Sequence, residues 1–286
     1  MTTPLRGAVL IQDTPRRLPW GRWWIQSAAL TYVALLLLIP LAVIFADGLK
    51  DGLVALWQSV SMPIAWAALR LSLWTSALMA AINAVMGTMT AYVLVRYRFP
   101  GKSLLNGIVD LPLAIPTLVT GVMLVVLYGP QALVGGWLED QLGWRIIFAR
   151  PGIVLALLFI NFPFVVRAVQ PVLQGLNRES EEAAATLGAG PFTIFRRVTL
   201  PALWLPIASG ALLSFARAIG EFGAIVIVSG NIPLRTQTAA IYVLGEVESA
   251  NRQGASAMSM VMLSLAFLLV LFVDWLRRRA PKERLA

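Results

Sequence analysis

Long uncharged runs alternate with short polar segments along the whole chain. The apolar runs are Trp23 to Ala46, Leu71 to Val95, Leu111 to Tyr128 within a longer run, Pro151 to Val166, Val198 to Ala216 continuing past two charges, and Gln253 to Val273. Each approaches or exceeds the roughly 20 residues that a helix needs to cross a bilayer. The pattern predicts an all-α polytopic membrane protein with six transmembrane helices over 23–276, preceded by a segment at 1–22 and followed by a basic tail at 277–286. No Ser/Gly linker, low-complexity stretch or visible repeat interrupts it. The outer segments near 47–65, 130–150 and 230–256 are too short to form a ligand-catching domain.

One polar stretch is richer than a connecting loop requires. Residues 177–201 lie between the fourth and fifth runs, and positions 182–201 read EAAATLGAGPFTIFRRVTLP. Asn177 and Ser180 suit a helix N-cap, and Glu179, Glu181 and Glu182 place negative charge in the first turn, where the helix dipole favours it. Ala183, Ala184 and Ala185 give helix propensity without bulk, so another backbone can approach closely. Gly188 and Gly190 supply turn conformations that end this short helix, and Pro191 suits the first position of a second. Phe192, Phe195 and Val198 fall near one face of the second helix, and Pro201 is expected to close it. The predicted element is a helix-turn-helix knob, placed to grip a soluble partner.

Charge supplies the orientation. The chain carries Lys+Arg 23 against Asp+Glu 14, a net charge of +9. With the N-terminus cytoplasmic, 15 of the 23 basic residues collect on the inner side, among them Arg6, Arg16, Arg17, Arg22, Arg96, Arg98, Lys102, Arg178, Arg196, Arg197 and the tail from Arg277 to Arg284. That bias predicts both termini and the knob inside. The basic residues flank membrane runs and do not form one basic domain, so the excess reads as topology, with no nucleic-acid partner. The apolar run after Arg22 is too long for a signal peptide and reads as the first span.

Composition narrows the chemistry. The chain is 58% hydrophobic and 13% charged, and contains no cysteine and no histidine. Disulfides, thiol chemistry and the usual metal ligands are excluded, and no metal site is expected. There is no GxxxxGK(S/T) phosphate loop, so any ATP that powers the protein is bound by another chain.

Polar residues inside apolar runs carry the next signal, because burying charge in hydrocarbon costs several kcal/mol. Arg217 and Glu221 stand four apart in the fifth run, on one expected helix face, with Gly220 and Gly223 beside them. They read either as an ion pair that fixes helix register or as a gate or lining group on a substrate path. Glu221 is read as the only carboxylate well inside a span. Arg167 is expected to snorkel to the inner interface. Asn83 and Asn161 sit near the centres of the second and fourth runs, as helix-helix hydrogen bonds or, for Asn161, a path residue. Pro112 and Pro116 should kink the third run, bringing Thr117 and Thr120 to a pathway.

The spacing Glu182-Ala183-Ala184, Gly188, Val198, Leu200-Pro201 resembles the EAA loop of binding-protein-dependent ABC importer permeases, with valine at 198 where isoleucine is commoner. The strings PFVVRAVQPVL at 163–173 and RAIGEFGAIVIVSGNIP at 217–233 are similar to permeases of sulfate/thiosulfate and molybdate importers. Residues 96–130 tip the likeness toward the sulfate/thiosulfate T-type subunit; it runs from about 69 to 276. The resemblance implies a type I ABC importer permease (MetI-like) fold in a bacterial inner membrane. It also implies a non-catalytic subunit whose coupling helix docks on an ATPase. Its implied partners are two ATPase copies that bind ATP and Mg, a W-type sister permease or a second copy of itself, and a periplasmic sulfate-binding protein. Molybdate or tungstate is the alternative cargo. An ATP-independent secondary anion transporter is the competing class, and it would usually carry broken helices in matching halves or a chain of intramembrane carboxylates.

Overall fold

The computed structural model describes residues 19–278, with side chains left aside at 19–22 and 277. Most of the expected N-terminal segment and basic tail, including Arg6, Arg16, Arg17, Lys282 and Arg284, therefore lies outside the described residues. The chain divides into two units, Met1–Ala46 and Asp47–Ala286.

In the first unit, α1 (Pro19–Val33) passes through a π-helical turn (Ala34–Leu38) into α2 (Ile39–Leu49), which continues past Ala46. Its apolar side chains are exposed nearly throughout. The second unit holds α3 (Gly52–Ser61), α4 (Pro63–Arg96), α5 (Lys102–Ala114), α6 (Thr117–Tyr128), α7 (Leu133–Leu142) and α8 (Arg150–Gly175). After these come α9 (Glu179–Thr186), α10 (Pro191–Ile194), α11 (Leu200–Ile219), α12 (Gly223–Val228), α13 (Ala239–Glu248) and α14 (Arg252–Arg278).

Among the described residues, five helical segments are long and apolar enough to cross a membrane: Trp23–Leu49, Pro63–Arg96, Arg150–Gly175, Pro191–Ile219 and Arg252–Leu276. A sixth candidate is a bent pair, α5 with α6, apolar enough only when the two are taken together. α5 and α6 meet at 109°, so the kink expected from the prolines is a full break. Pro112 is accommodated inside α5, whereas Pro116 ends it. The residue before a proline is pushed out of the α region, and Ile115 has φ −83° and ψ 129°.

α8 is the central rod, packed between α4 and α11. Small residues make that packing possible, as is usual where helices cross in lipid. A Cβ on Gly87 of α4 would lie 2.9 Å from Val165 Cβ, and one on Gly210 of α11 would lie 3.0 Å from Val165 Cα. Val165 is thus pinched from both sides, fully buried with Val166, Val169 and Leu173. Asn83 donates to the Leu158 carbonyl at 3.3 Å and ties α4 to α8.

The fifth span differs from expectation at both ends. α10, a π-helical turn at Phe195–Thr199 and α11 form one continuous helix, so Pro201 closes nothing. The wider turn is the reason: the Leu200 N–H donates to the Phe195 carbonyl, five residues back, and the ladder resumes around a proline that has no N–H to give. At the other end α11 stops at Ile219, and α12 begins only at Gly223. α12 packs across α6, and a Cβ on Gly121 would sit 2.8 Å from the Ala224 carbonyl oxygen. Two broken helices therefore meet at this crossing.

Candidate functional site

Two regions gather the residues singled out from sequence. The first is the knob. α9 begins at Glu179, and Asn177 starts it by an Asx turn, its Oδ1 accepting the Glu179 N–H at 3.0 Å. Ser180 lies inside the first turn and is not the cap. The helix closes with paired bonds from Gly188 N–H to the Ala185 carbonyl and from Ala189 N–H to the Ala184 carbonyl, each 3.0 Å. That closure requires a left-handed residue, and Gly188 has φ +84°. Gly190 has an ordinary extended backbone and acts as the N-cap of α10, which Pro191 opens.

The outer face of the knob is bare. Glu182, Ala183, Ala185 and Gly188 are exposed and Ala184 is half-buried. Leu187 is 88% and Phe192 74% exposed. Large apolar side chains held this far out beside small residues form an exposed apolar patch. Val198 lies in the π-turn, and Leu200 and Pro201 open α11, so these three belong to the root of the knob and not to its tip.

The root is fastened by Glu181, which the sequence suggested only as a charge in the first turn. Glu181 Oε1 accepts from Arg96 Nη2 and from the Thr199 hydroxyl, each at 2.8 Å. Arg96 ends α4 and Thr199 is fully buried in the π-turn, so one carboxylate joins three elements. Tyr92 packs edge-on against Phe195 beside it, ring centroids 5.4 Å apart.

The second region is a polar cluster at the break between α11 and α12. Arg217 Nη1 donates to Glu221 Oε2 at 3.0 Å and to Asn161 Oδ1 at 3.3 Å. The guanidinium lies over the Phe164 ring, 5.8 Å from its centroid, within reach of a cation-π contact. The two charged residues do not share a helix face as expected. Gly220 ends α11, and Glu221 sits in the connection, where its Oε1 accepts weakly from the Ala224 N–H at 3.5 Å. Thr117 meets the same connection, because a Cβ on Gly223 would collide with its hydroxyl. Thr120, one turn further along α6, is buried, and its hydroxyl has no partner among the described residues. The five candidate path residues thus fall along one seam from α8 through α11 to the α6–α12 crossing.

Arg167 reaches across to α5. Its Nε donates to Asp110 Oδ1 at 2.7 Å, Nη1 to Asn106 Oδ1 at 3.0 Å, and Nη2 to the Asn106 carbonyl at 2.9 Å. Nη1 also donates to Gln170 and Nη2 to Asp110 Oδ2. Asp110 lies inside α5, so these bonds tie α5 to α8.

Residues 83–282 match the family model described as binding-protein-dependent transport system inner membrane component. The chain is 39% identical over 254 residues to a probable sulfate transport system permease protein of Nephroselmis olivacea, covering 89% of each. It is 36% identical to the sulfate transport system permease protein of Escherichia coli K12, covering 88% of this chain and 91% of that one. Among solved structures it is similar to a chain of a bacterial alginate ABC transporter in complex with an alginate pentasaccharide-bound periplasmic protein. There the TM-score is 0.75 at 17% identity, over 91% of this chain and 94% of that one. It is also similar to a chain of the MetNI methionine ABC transporter, with TM-score 0.52 at 18% identity, over 77% of this chain and all of the other. These structural likenesses concern the fold.

Proposed function

Because the chain belongs to the family of binding-protein-dependent transport system inner membrane components, we propose that it is the permease subunit of an ATP-driven importer that carries sulfate and thiosulfate across a bacterial inner membrane. It is a multi-pass membrane protein. The cargo rests on one observation, the identity of 36–39% along nearly nine-tenths of the chain to proteins named as sulfate transport permeases. Molybdate, a tetrahedral dianion like sulfate, is the alternative cargo.

The chain itself performs no covalent step and binds no cofactor; ATP and Mg belong to two copies of a partner ATPase. The exposed knob of Glu182, Ala183, Ala184 and Gly188, rooted at Val198, Leu200 and Pro201, inserts into that partner. Apolar Leu187 and Phe192 gain by burial there, on the order of 2 kcal/mol each. A W-type sister permease or a second copy completes the pathway, and a periplasmic sulfate-binding protein delivers the anion. ATP-driven closure of the ATPase pair pulls on the knobs, the paired permeases open outward, and hydrolysis returns them inward. The anion passes the seam of Thr117, Thr120, Asn161, Arg217 and Glu221.

The test is uptake of labelled sulfate, thiosulfate and molybdate by cells lacking and then regaining this chain, with Gly188→Val as the coupling control. Sulfate uptake should return with the chain and not with the variant. Restoration of molybdate uptake alone would replace the cargo.

A further inference from the structure

Two arginines, Arg167 of α8 and Arg217 of α11, stand inside helices with partly exposed side chains, and the count of their hydrogen bonds separates them. A guanidinium has five N–H donors and no acceptor. Arg167 has all five engaged, by Asp110, Asn106 and Gln170. Nothing remains on it with which to hold an anion, so it is a strut between α5 and α8. Arg217 has only Nη1 engaged, by Glu221 and Asn161. Its Nε–H and both Nη2–H groups have no partner among the described residues, and its side chain is 37% exposed although its counter-ion is only 6% exposed.

Resting on the permease reading above, we propose that the Nε/Nη2 edge of Arg217 is a transit station for a tetrahedral oxyanion. This edge is the planar fork that matches two oxygens of a sulfate-like group. Three neighbours hold it in place: Glu221 and Asn161 fix Nη1, and the Phe164 ring underlies the plane. Glu221 also offsets the cation, so that a dianion is attracted without being trapped. This distinguishes a station from a binding site, since a transported ion must leave each turnover. Glu221 is fixed in the α11–α12 connection, which crosses α6 at Gly223, so movement at either broken helix shifts the fork.

The experiment uses the whole complex in proteoliposomes with its substrate-loaded binding protein, reading sulfate delivered and ATP hydrolysed. Arg217→Lys keeps a cation for Glu221 but removes the fork. Stimulated ATP hydrolysis should persist while sulfate delivered per ATP falls by about tenfold, the scale of a lost bidentate contact. Arg167→Lys should lower the yield of assembled complex, and what assembles should deliver sulfate at the wild-type ratio. A second measurement does not depend on either lysine variant. The chain has no cysteine, so Leu213→Cys, one turn before Arg217 on α11 and outside the supports of the fork, places a single thiol of this chain near it. Sulfate should slow its reaction with an anionic thiol reagent and leave a neutral reagent unaffected. Wild-type delivery per ATP by Arg217→Lys, or thiol labelling indifferent to sulfate, overturns the station. A wild-type complex that carries no sulfate at all instead overturns the function on which it rests.

Discussion

Glu181 and Arg96 form a 2.8 Å ion pair with side chains 15% and 9% exposed, and the knob hangs from it. Surface ion pairs contribute little, but removing one partner of a pair this well buried leaves an uncompensated charge, costing about 3 kcal/mol. Glu181→Ala should therefore lower the unfolding temperature of the isolated chain by several degrees and loosen the ATPase. Neighbouring Glu182 is exposed, and its side chain has no hydrogen bond or ion pair among the described residues. Glu182→Lys should leave the unfolding temperature unchanged while abolishing co-purification of the ATPase. Thermal melts and pull-downs on the two variants check the contrast; equal melts for both would remove the anchoring role of Glu181.

The α6–α12 crossing depends on missing side chains. Gly121→Ala places a methyl group 2.8 Å from the Ala224 carbonyl oxygen, an overpacking that costs roughly 1–3 kcal/mol. Gly107→Ala in α5 meets nothing within 4 Å and should stabilise by about 0.5–1 kcal/mol through helix propensity. The expected result is a lower melt for the first variant and an equal or higher one for the second. The reverse order would show that α6 and α12 do not cross at Gly121.

Orientation can be read with single cysteines. Cysteine at Gln12 or Ala280, both outside the described residues, should react with impermeant reagents only from the cytoplasmic side. For the opposite face Leu133 is a better position than Gly136. Leu133 is 96% exposed at the start of α7, whereas a Cβ on Gly136 comes within 3.1 Å of the Pro130 carbonyl. Leu133→Cys should react only from outside. Labelling of Gln12 and Ala280 from opposite sides would require an odd number of crossings.

Elements set by local chemistry were legible in the sequence. Hydropathy located the spans because a bilayer imposes a length on an apolar helix, and the glycine after α9 declared the closure that Gly188 makes. Features made by distant residues were not. Arg167 finds Asp110 across 57 positions, and Arg96 finds Glu181 across 85; neither separation has a helical signature. One signal was available: an arginine inside an apolar run demands an acid at matching depth, and Asp110 borders the adjacent run. The early end of α11 escaped because apolar residues continue through Phe222 to Val228, so hydropathy does not register a break that Gly220 and the α6 crossing produce. Pro201 misled for the opposite reason, since a π-turn can absorb a proline that would stop an ordinary helix.

That π-turn carries a geometric consequence. Accommodating one additional residue per turn at Phe195–Thr199 rotates everything before it by about 100° relative to an uninterrupted α-helix. The compass bearing of Leu187 and Phe192 around the fifth span is therefore set by a residue count, independently of which side chains occupy those positions. Shortening the turn by a single residue would swing the knob to another quadrant with its chemistry intact. Length at this one place is a dial that selects which way the protein presents its handle.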